Sequence, residues 1–337
     1  MPLTVDLRSD TLTRPTPEMR AAMFAAELGD DVFGEDPTVN LLEAKVAALL
    51  GKEAGLFVPS GTMANQIAIR CTTQPGDEVI LESGAHPFHY EAGGAAVISG
   101  VTLRLVPGNR GVLDPDMVRD AVRPPNVHHA PARLLSVENT ANRGGGTVTP
   151  VATCAALTEV AHQAGLLAHL DGARLWNATV AVGAPPSAFT AGFDVVSVCF
   201  SKGLGAPVGS AVVGSARLIE HARRVRKMLG GGMRQAGVLA GACVYALDHH
   251  IGRLAEDHRR ARTLWEGLTE LGFSASAPET NMIYVEVPDA PKLASRLGQE
   301  GVRAIALAWD RLRLVTHLDV DDAQIAAAIA AFGRVRG

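Results

Sequence analysis

Three stretches of this chain carry residues whose chemistry depends on where the backbone puts them. Pro59-Ser60-Gly61-Thr62-Met63-Ala64-Asn65 follows a strand-like run, Gly55–Val58, and opens a helical pattern. A glycine there lets the backbone approach an anion, the threonine adds a hydroxyl, and a helix start offers free N–H groups, so the stretch suits one phosphate. No Gly-Lys-Ser/Thr follows it and no G-x-G-x-x-G precedes it, so it is not a nucleotide loop. His169-Leu170-Asp171-Gly172-Ala173-Arg174 ends an apolar run at a carboxylate that can pair with a protonated ring nitrogen. Ser197-Val198-Cys199-Phe200-Ser201-Lys202-Gly203-Leu204-Gly205 ends another at a lysine among small residues, where an amine is neutralised, paired or covalently used. Singly, each has a plainer reading: Ser60 as a helix cap, Asp171 as a cap for the next turn, Lys202 as a surface lysine. Together, in this order, they match the phosphate, the ring nitrogen and the carbonyl carbon of pyridoxal 5′-phosphate (PLP), an electron sink for carbanion chemistry.

These ends need a sheet to converge. Apolar runs at Glu78–Leu81, Leu103–Val106, Leu134–Val137, Leu167–Leu170, Val195–Phe200 and Ser210–Val213 predict strands, several buried on both faces. Helical stretches such as Val151–Ala164 separate them, the rhythm of an α/β sheet, largely parallel, with helices on both sides. Asp36-Pro37 opens an earlier helix whose apolar face is Val39, Leu42, Val46 and Leu49, and Gly51 ends it. After about Ala240 the pattern changes. One long Arg-rich helix to Leu271, a strand (Met282–Val287), a helix (Pro291–Glu300), two strands (Val302–Leu307 and Arg313–His317) and a closing helix (Asp321–Phe332) predict a small α+β domain. The expected division is a large domain over residues 1–245, N-terminal arm included, and a small one over 246–337.

Composition narrows the function classes. A net charge of -4 gives no basic footprint for nucleic acid or anionic membrane. Cys71, Cys154, Cys199 and Cys243 form no C-x-x-C pair and read as reduced cytosolic thiols. The first eight residues carry charges where a signal peptide needs an apolar run, and the apolar stretch Ala236–Leu247 is too short to span a bilayer. The expectation is a soluble cytoplasmic protein. His86 and His89 have a metal-compatible spacing, but no Cys or carboxylate pattern completes a site, so no metal is expected. His221, His249 and His250 read as surface residues and His317 as a core histidine.

At this point the chain resembles the low-specificity L-threonine aldolases of PLP fold type I, the aspartate aminotransferase superfamily. The likeness runs over nearly the whole chain: Asp6-Leu7-Arg8-Ser9-Asp10-Thr11, Gly34 to Glu43, the Ser60–Asn65 turn, Ala85-His86-Pro87-Phe88-His89-Tyr90-Glu91-Ala92-Gly93-Gly94, Glu138-Asn139-Thr140, Asp171 to Arg174, Ser201 to Ser210, and Arg313 to Asp319. It implies a large domain built on a mostly parallel seven-stranded sheet, and cleavage of threonine, allo-threonine or phenylserine to glycine and an aldehyde. It implies that Lys202 binds PLP covalently, that Asp171 meets the ring nitrogen, and that Gly61, Thr62 and Ser201 hold the phosphate. His86 would stack on the ring and, with His128, stand near the substrate hydroxyl. Ser9, Arg174 and Arg313 would hold the substrate carboxylate, and Arg174 also belongs to the cofactor's surroundings. A homotetramer, a dimer of dimers, would share its sites, with Lys227, Arg234 and His128 reaching the neighbour's and Gly230-Gly231-Gly232 permitting the approach.

One departure stands out. The family often has Thr-His-Asn where this chain has Thr140-Ala141-Asn142, followed by the glycine-rich Arg143-Gly144-Gly145-Gly146. The competing functions are another fold-type-I lyase or an aminotransferase, which would yield a keto acid, and a PLP-fold protein that has lost catalysis. Retention of both Lys202 and Asp171 argues against the last.

Overall fold

The computed structural model describes residues 5–336; the start of the chain, read above as lacking a signal peptide, lies partly outside them. Among the described residues, β1 (Val5–Asp6), β2 (Ala54–Val58), β3 (Glu78–Glu82), β4 (Thr102–Val106), β5 (Ala132–Glu138), β6 (Leu167–Gly172), β7 (Val195–Cys199) and β8 (Ser210–Gly214) precede the C-terminal strands. Seven of them form one sheet in the order β2-β8-β7-β6-β5-β3-β4. Only β8 runs against the others. The fold is thus the expected α/β architecture with a mostly parallel sheet. Strands β3, β7 and β8 are buried at every residue, which is why they carry apolar runs without alternation, such as Val79-Ile80-Leu81 and Ala211-Val212-Val213.

Local signals act as expected at several ends. Asp36 caps the helix Pro37–Leu49 by accepting from the amides of Thr38 and Val39, and Val39, Leu42 and Val46 are buried under it. Ser60 caps the helix Gly61–Thr72 by accepting from Met63. Each cap satisfies amides that the first helical turn leaves open, worth ~1 kcal/mol.

The C-terminal strands are β9 (Ser274–Ala275), β10 (Met282–Glu286), β11 (Val302–Arg303), β12 (Ile305–Ala308) and β13 (Arg311–Val315). β12, β13, β10 and β9 make an antiparallel sheet, and β11 pairs in parallel with β1. Two expectations change. The run 302–307 is two strands, because its first half turns to β1. The long helix is also two, Gly237–His249 and Leu254–Glu270. The break falls where His250 Nδ1 meets Leu204 O at 2.7 Å, docking the turn on the loop that follows Lys202.

Two principal apolar cores result. One lies around the large sheet and contains Phe57, Trp176, Phe189 and Phe200. The other joins Val5 and Leu7 to Ala261, Leu264, Leu312 and Phe332. The C-terminal ends of β3, β5, β6 and β7 converge on one edge, where open α/β sheets place ligands.

Candidate active site

At that edge lies a narrow cavity of about 140 Å³. Its floor includes Asp171, its rim Gly61, Thr62 and Ser201, and Lys202 and His86 border it. Lys202 sits in the turn after β7, and its carbonyl accepts from Thr13 Oγ1 at 2.8 Å and from Gly205 N at 3.0 Å. Gly61 is required by space: a Cβ there would stand 2.7 Å from Cys199 Sγ.

Asp171 is fixed by a chain of bonds through the sheet. Ser136 Oγ meets His169 Nδ1 at 3.0 Å, and His169 Nε2 meets Ser197 Oγ at 3.2 Å. Burial pushes the His169 pKa down to about 4, so the ring is neutral and donates a single N–H, from Nε2 to Ser197 Oγ. Ser197 then donates to Asn65 Oδ1 at 2.7 Å, which fixes the Asn65 amide. Asn65 Nδ2 donates to Asp171 Oδ2 at 2.7 Å and to Glu91 Oε1 at 2.8 Å. The other Asp171 oxygen accepts from Ala173 N at 3.1 Å.

His86 is held from two sides. Its backbone N–H donates to Glu138 Oε2 at 2.9 Å, and Nδ1 meets Glu91 Oε1 at 2.8 Å. Burial draws its pKa down, but the Glu91 bond and the charges of Asp171 and Glu91 outweigh this and leave it above the ordinary histidine value. Burial, then the charge of Asp171, pushes the Glu138 carboxyl up to about 7, against the bonds it accepts from Asn142 N and His86 N.

A second cavity of about 320 Å³ adjoins the first and shares His86 and Lys202 with it. Ser9, Thr11, Tyr90, Arg174, Ile305, Leu307 and Arg313 line it; Thr11 Oγ1 donates to Ser9 Oγ at 2.8 Å, and Ile305 pairs with Arg313 across the strands. Arg174 is buried and donates Nε and Nη2 to Asp10 at 2.8 and 2.7 Å. Burial alone would raise the Asp10 pKa, but the Arg174 charge and bonds hold it well below the carboxylate range. Arg313 has only neutral partners, Asn142 Oδ1 at 3.0 Å and Arg8 O at 3.1 Å, and no ion pair among the described residues. Burial, then repulsion from Arg174, lowers its pKa. An unneutralised guanidinium in such a wall awaits an anion.

The structure therefore brings together Lys202, Asp171, Gly61, Thr62, Ser201, His86, Ser9, Arg174 and Arg313. It does not bring His128, Lys227 or Arg234 to the cavities of their own chain. His128 is exposed in the loop before β5, at the opposite edge of the sheet from Glu138. The seven residues of β5 span roughly 20 Å. Lys227 is exposed, and exposed Arg234 pairs with Asp30 at 3.1 Å. Wider clefts of about 700 and 650 Å³ lie around Pro107–Pro115 and residues 122–133, apart from these converging groups.

Asp10, Asn65, Glu91, Glu138 and Asn142 complete the site, although their types and spacing assign them no role in sequence. Asp10, Asn65, Glu91 and Glu138 stand in stretches that carry the resemblance, which gave them no role, and all five positions prove almost wholly buried.

PLP fits this donor set. The Gly61–Thr72 helix start suits a phosphate, the buried and oriented Asp171 suits a protonated ring nitrogen, and Lys202 stands where the two cavities meet.

The sequence pattern of the beta-eliminating lyases matches residues 6–290. The low specificity L-threonine aldolase of Escherichia coli K12 is 43% identical, over 97% of each chain. A threonine aldolase of Leishmania major superposes with a TM-score of 0.86 at 19% identity, covering 99% of this chain and all of that one. A serine palmitoyltransferase variant of S. paucimobilis with bound PLP-myriocin superposes with a TM-score of 0.75 at 18% identity, over 98% of this chain and 87% of that one. On this extent of likeness, the chain belongs to the beta-eliminating lyase family.

Proposed function

We propose that this protein is a PLP-dependent aldehyde-lyase that cleaves L-threonine, L-allo-threonine and related β-hydroxy-α-amino acids such as phenylserine to glycine and an aldehyde. The observation that carries this reading is the meeting of two cavities at Lys202 and His86, one floored by Asp171 and the other walled by the unneutralised Arg313. The 43% identity to a low specificity L-threonine aldolase over nearly the whole chain supports the same reaction.

When bound, PLP supplies an electron sink for the pair released as the Cα–Cβ bond breaks. Lys202 would hold it covalently, Asp171 would keep its ring nitrogen protonated, and Gly61, Thr62 and Ser201 would take its phosphate. Ser9, Arg174 and Arg313 would grip the substrate carboxylate. Asp10 neutralises Arg174 and fixes its plane, leaving Arg313 as the main counter-charge. This grip sets which Cα bond is presented for cleavage. His86 donates Nδ1–H to Glu91, so Nε2 is the atom able to take the proton of the substrate hydroxyl.

The same proposal includes a large part over residues 1–245 and a small one over 246–337, supported by the two cores. It includes a homotetramer with shared sites, in which His128, Lys227 and Arg234 serve a neighbour. Phe24, Leu28, Phe33 and Leu41 are exposed on a segment tied to the Arg234 loop by the Asp30 pair, which supports burial against a second copy. The unbonded cysteines favour a cytoplasmic location. Among the described residues no helix is long and apolar enough to cross a membrane.

The test is product analysis with L-threonine and L-allo-threonine side by side. Glycine and acetaldehyde are expected from each; a keto acid and ammonia would overturn the aldolase reading.

A further inference from the structure

The turn that departs from the family pattern ends at the mouth of the larger cavity. Asn142 N donates to Glu138 Oε1 at 2.9 Å, and Tyr284 Oη donates to Asn142 O. Ala141 N donates to Thr147 O at 2.9 Å and Gly146 N to Ala141 O at 2.9 Å, closing the turn. A Cβ on Gly146 would stand 2.6 Å from Thr280 Oγ1, so the tight seat depends on glycine. Arg143 thus projects from a pinned base. Its stem lies so close to Gly84 that a Cβ there would stand 3.1 Å from its own. Its Nη1 donates to Tyr90 Oη at 3.0 Å.

Tyr90 is a wall of the cavity, with its ring centroid 5.3 Å from that of His86. The carboxylate end of the cavity belongs to Arg313, Arg174 and Ser9, and the amine end to Lys202. Thr11 is bonded to Ser9 and Ile305 pairs with Arg313, so among the other lining residues Tyr90, beside His86 and bonded to Arg143, is the wall offered to a Cβ substituent. The Tyr90 hydroxyl leads from this wall to Arg143, which is exposed and forms no ion pair among the described residues.

We propose that Arg143, held at the rim by Tyr90, selects β-hydroxy-α-amino acids whose Cβ substituent ends in a carboxylate. This rests on the aldolase reading and deepens it. The aromatic face of Tyr90 carries the body of the substituent, and the Arg143 fork takes its anionic end.

The experiment compares kcat/KM for 4-carboxyphenylserine and phenylserine on the holoenzyme and on Arg143→Ala, Arg143→Gln and Arg143→Lys. The ratio of the carboxylated to the plain compound falls ~10-fold in the Ala and Gln variants, as expected for a charged contact at a partly wet rim. It survives in the Lys variant and weakens as salt is added. An unmoved ratio overturns the proposal. So does a wild-type ratio in Arg143→Gln alongside a loss in Arg143→Ala, since glutamine can still hold Tyr90 but carries no charge. If no compound yields glycine, the aldolase reading fails by itself. Calorimetric binding of the same two compounds then decides Arg143: the same fall supports it, and an unchanged ratio overturns it.

Discussion

Glu91 Oε1 stands 2.8 Å from His86 Nδ1, and the same oxygen accepts from Asn65, the residue that also holds Asp171. One carboxylate therefore orients the imidazole and ties it to the group beneath the cofactor ring. Glu91→Gln should lower the His86 pKa, because the Glu91 charge and its ionic bond are removed while burial and the Asp171 charge remain. A base works when unprotonated, so the acid limb of the kcat/KM profile should move to lower pH. With the imidazole less firmly held, kcat should fall ~10-fold or more, a part of what a positioned acid–base group supplies. Steady-state rates across pH check both; a normal kcat with an unmoved acid limb would remove Glu91 from the mechanism.

Glu138 gives a stability signature. Its carboxyl is raised to about 7, by burial first and the Asp171 charge second. The folded state therefore binds this proton more tightly than the unfolded state. Its contribution to stability is unchanged below the unfolded value near 4.5, falls as pH rises from there to about 7, and is flat above. Glu138→Gln cannot titrate, so its stability relative to wild type should rise with pH across this window. Urea unfolding of both proteins at several pH values measures the difference. Parallel curves would mean that Glu138 does not titrate there.

How much of this was legible beforehand follows from the range of each interaction. Lys202, Asp171 and Gly61 could be read because each sits at the end of an apolar run, and the strand itself brings it to the edge. The largely parallel α/β sheet could be read from its apolar runs, and its count of seven strands came from the resemblance. Asn65 and Asp10 could not be assigned roles, because their partners lie far away in sequence: Asp10 meets Arg174 across 164 positions and Asn65 meets Asp171 across 106. The long C-terminal helix was misread because its break at His250 depends on Leu204, a contact absent from local periodicity.

Arg313 lines the cavity without an ion pair among the described residues, and its two amino groups are fixed by Asn142 and Arg8. Lysine keeps the charge but loses the planar fork. Arg313→Lys should therefore raise the KM for L-threonine ~10–100-fold, the range of a charge-assisted hydrogen bond, with a smaller effect on kcat. Initial-rate kinetics with saturating PLP make the comparison; an unchanged KM would place the substrate carboxylate elsewhere.

Lys202 stands where the two cavities meet, and the covalent assignment can be tested without turnover. Borohydride reduction of the holoenzyme should leave a pyridoxyl group on the peptide containing Lys202. Lys202→Ala should bind PLP without becoming labelled. A label on any other lysine would reassign the site.

The remaining prediction concerns His128, which β5 keeps roughly 20 Å from the edge that holds Glu138. Within one chain it cannot reach the hydroxyl of a substrate lying between His86 and Arg313. Any role in cleavage must come from another copy, and the same holds for Arg234, exposed and paired with Asp30. His128→Ala should keep the absorption spectrum of bound PLP and still bind glycine, yet lose kcat or diastereomer selectivity, by up to ~10²-fold if it moves a proton. Subunit mixing tests the geometry. Lys202→Ala and Arg234→Ala are each expected to be inactive. In exchanged mixtures a site that takes Lys202 from one chain and Arg234 from the other is whole, so activity returns. The pair Lys202→Ala and His128→Ala should complement in the same way. A double variant carrying Lys202→Ala and His128→Ala on one chain, mixed with wild type, gives the reference for dilution alone. If exchange is confirmed by mass and neither pair regains activity, the sites are not shared. His128 would then be a surface histidine of its own loop, and His86 alone would serve the hydroxyl.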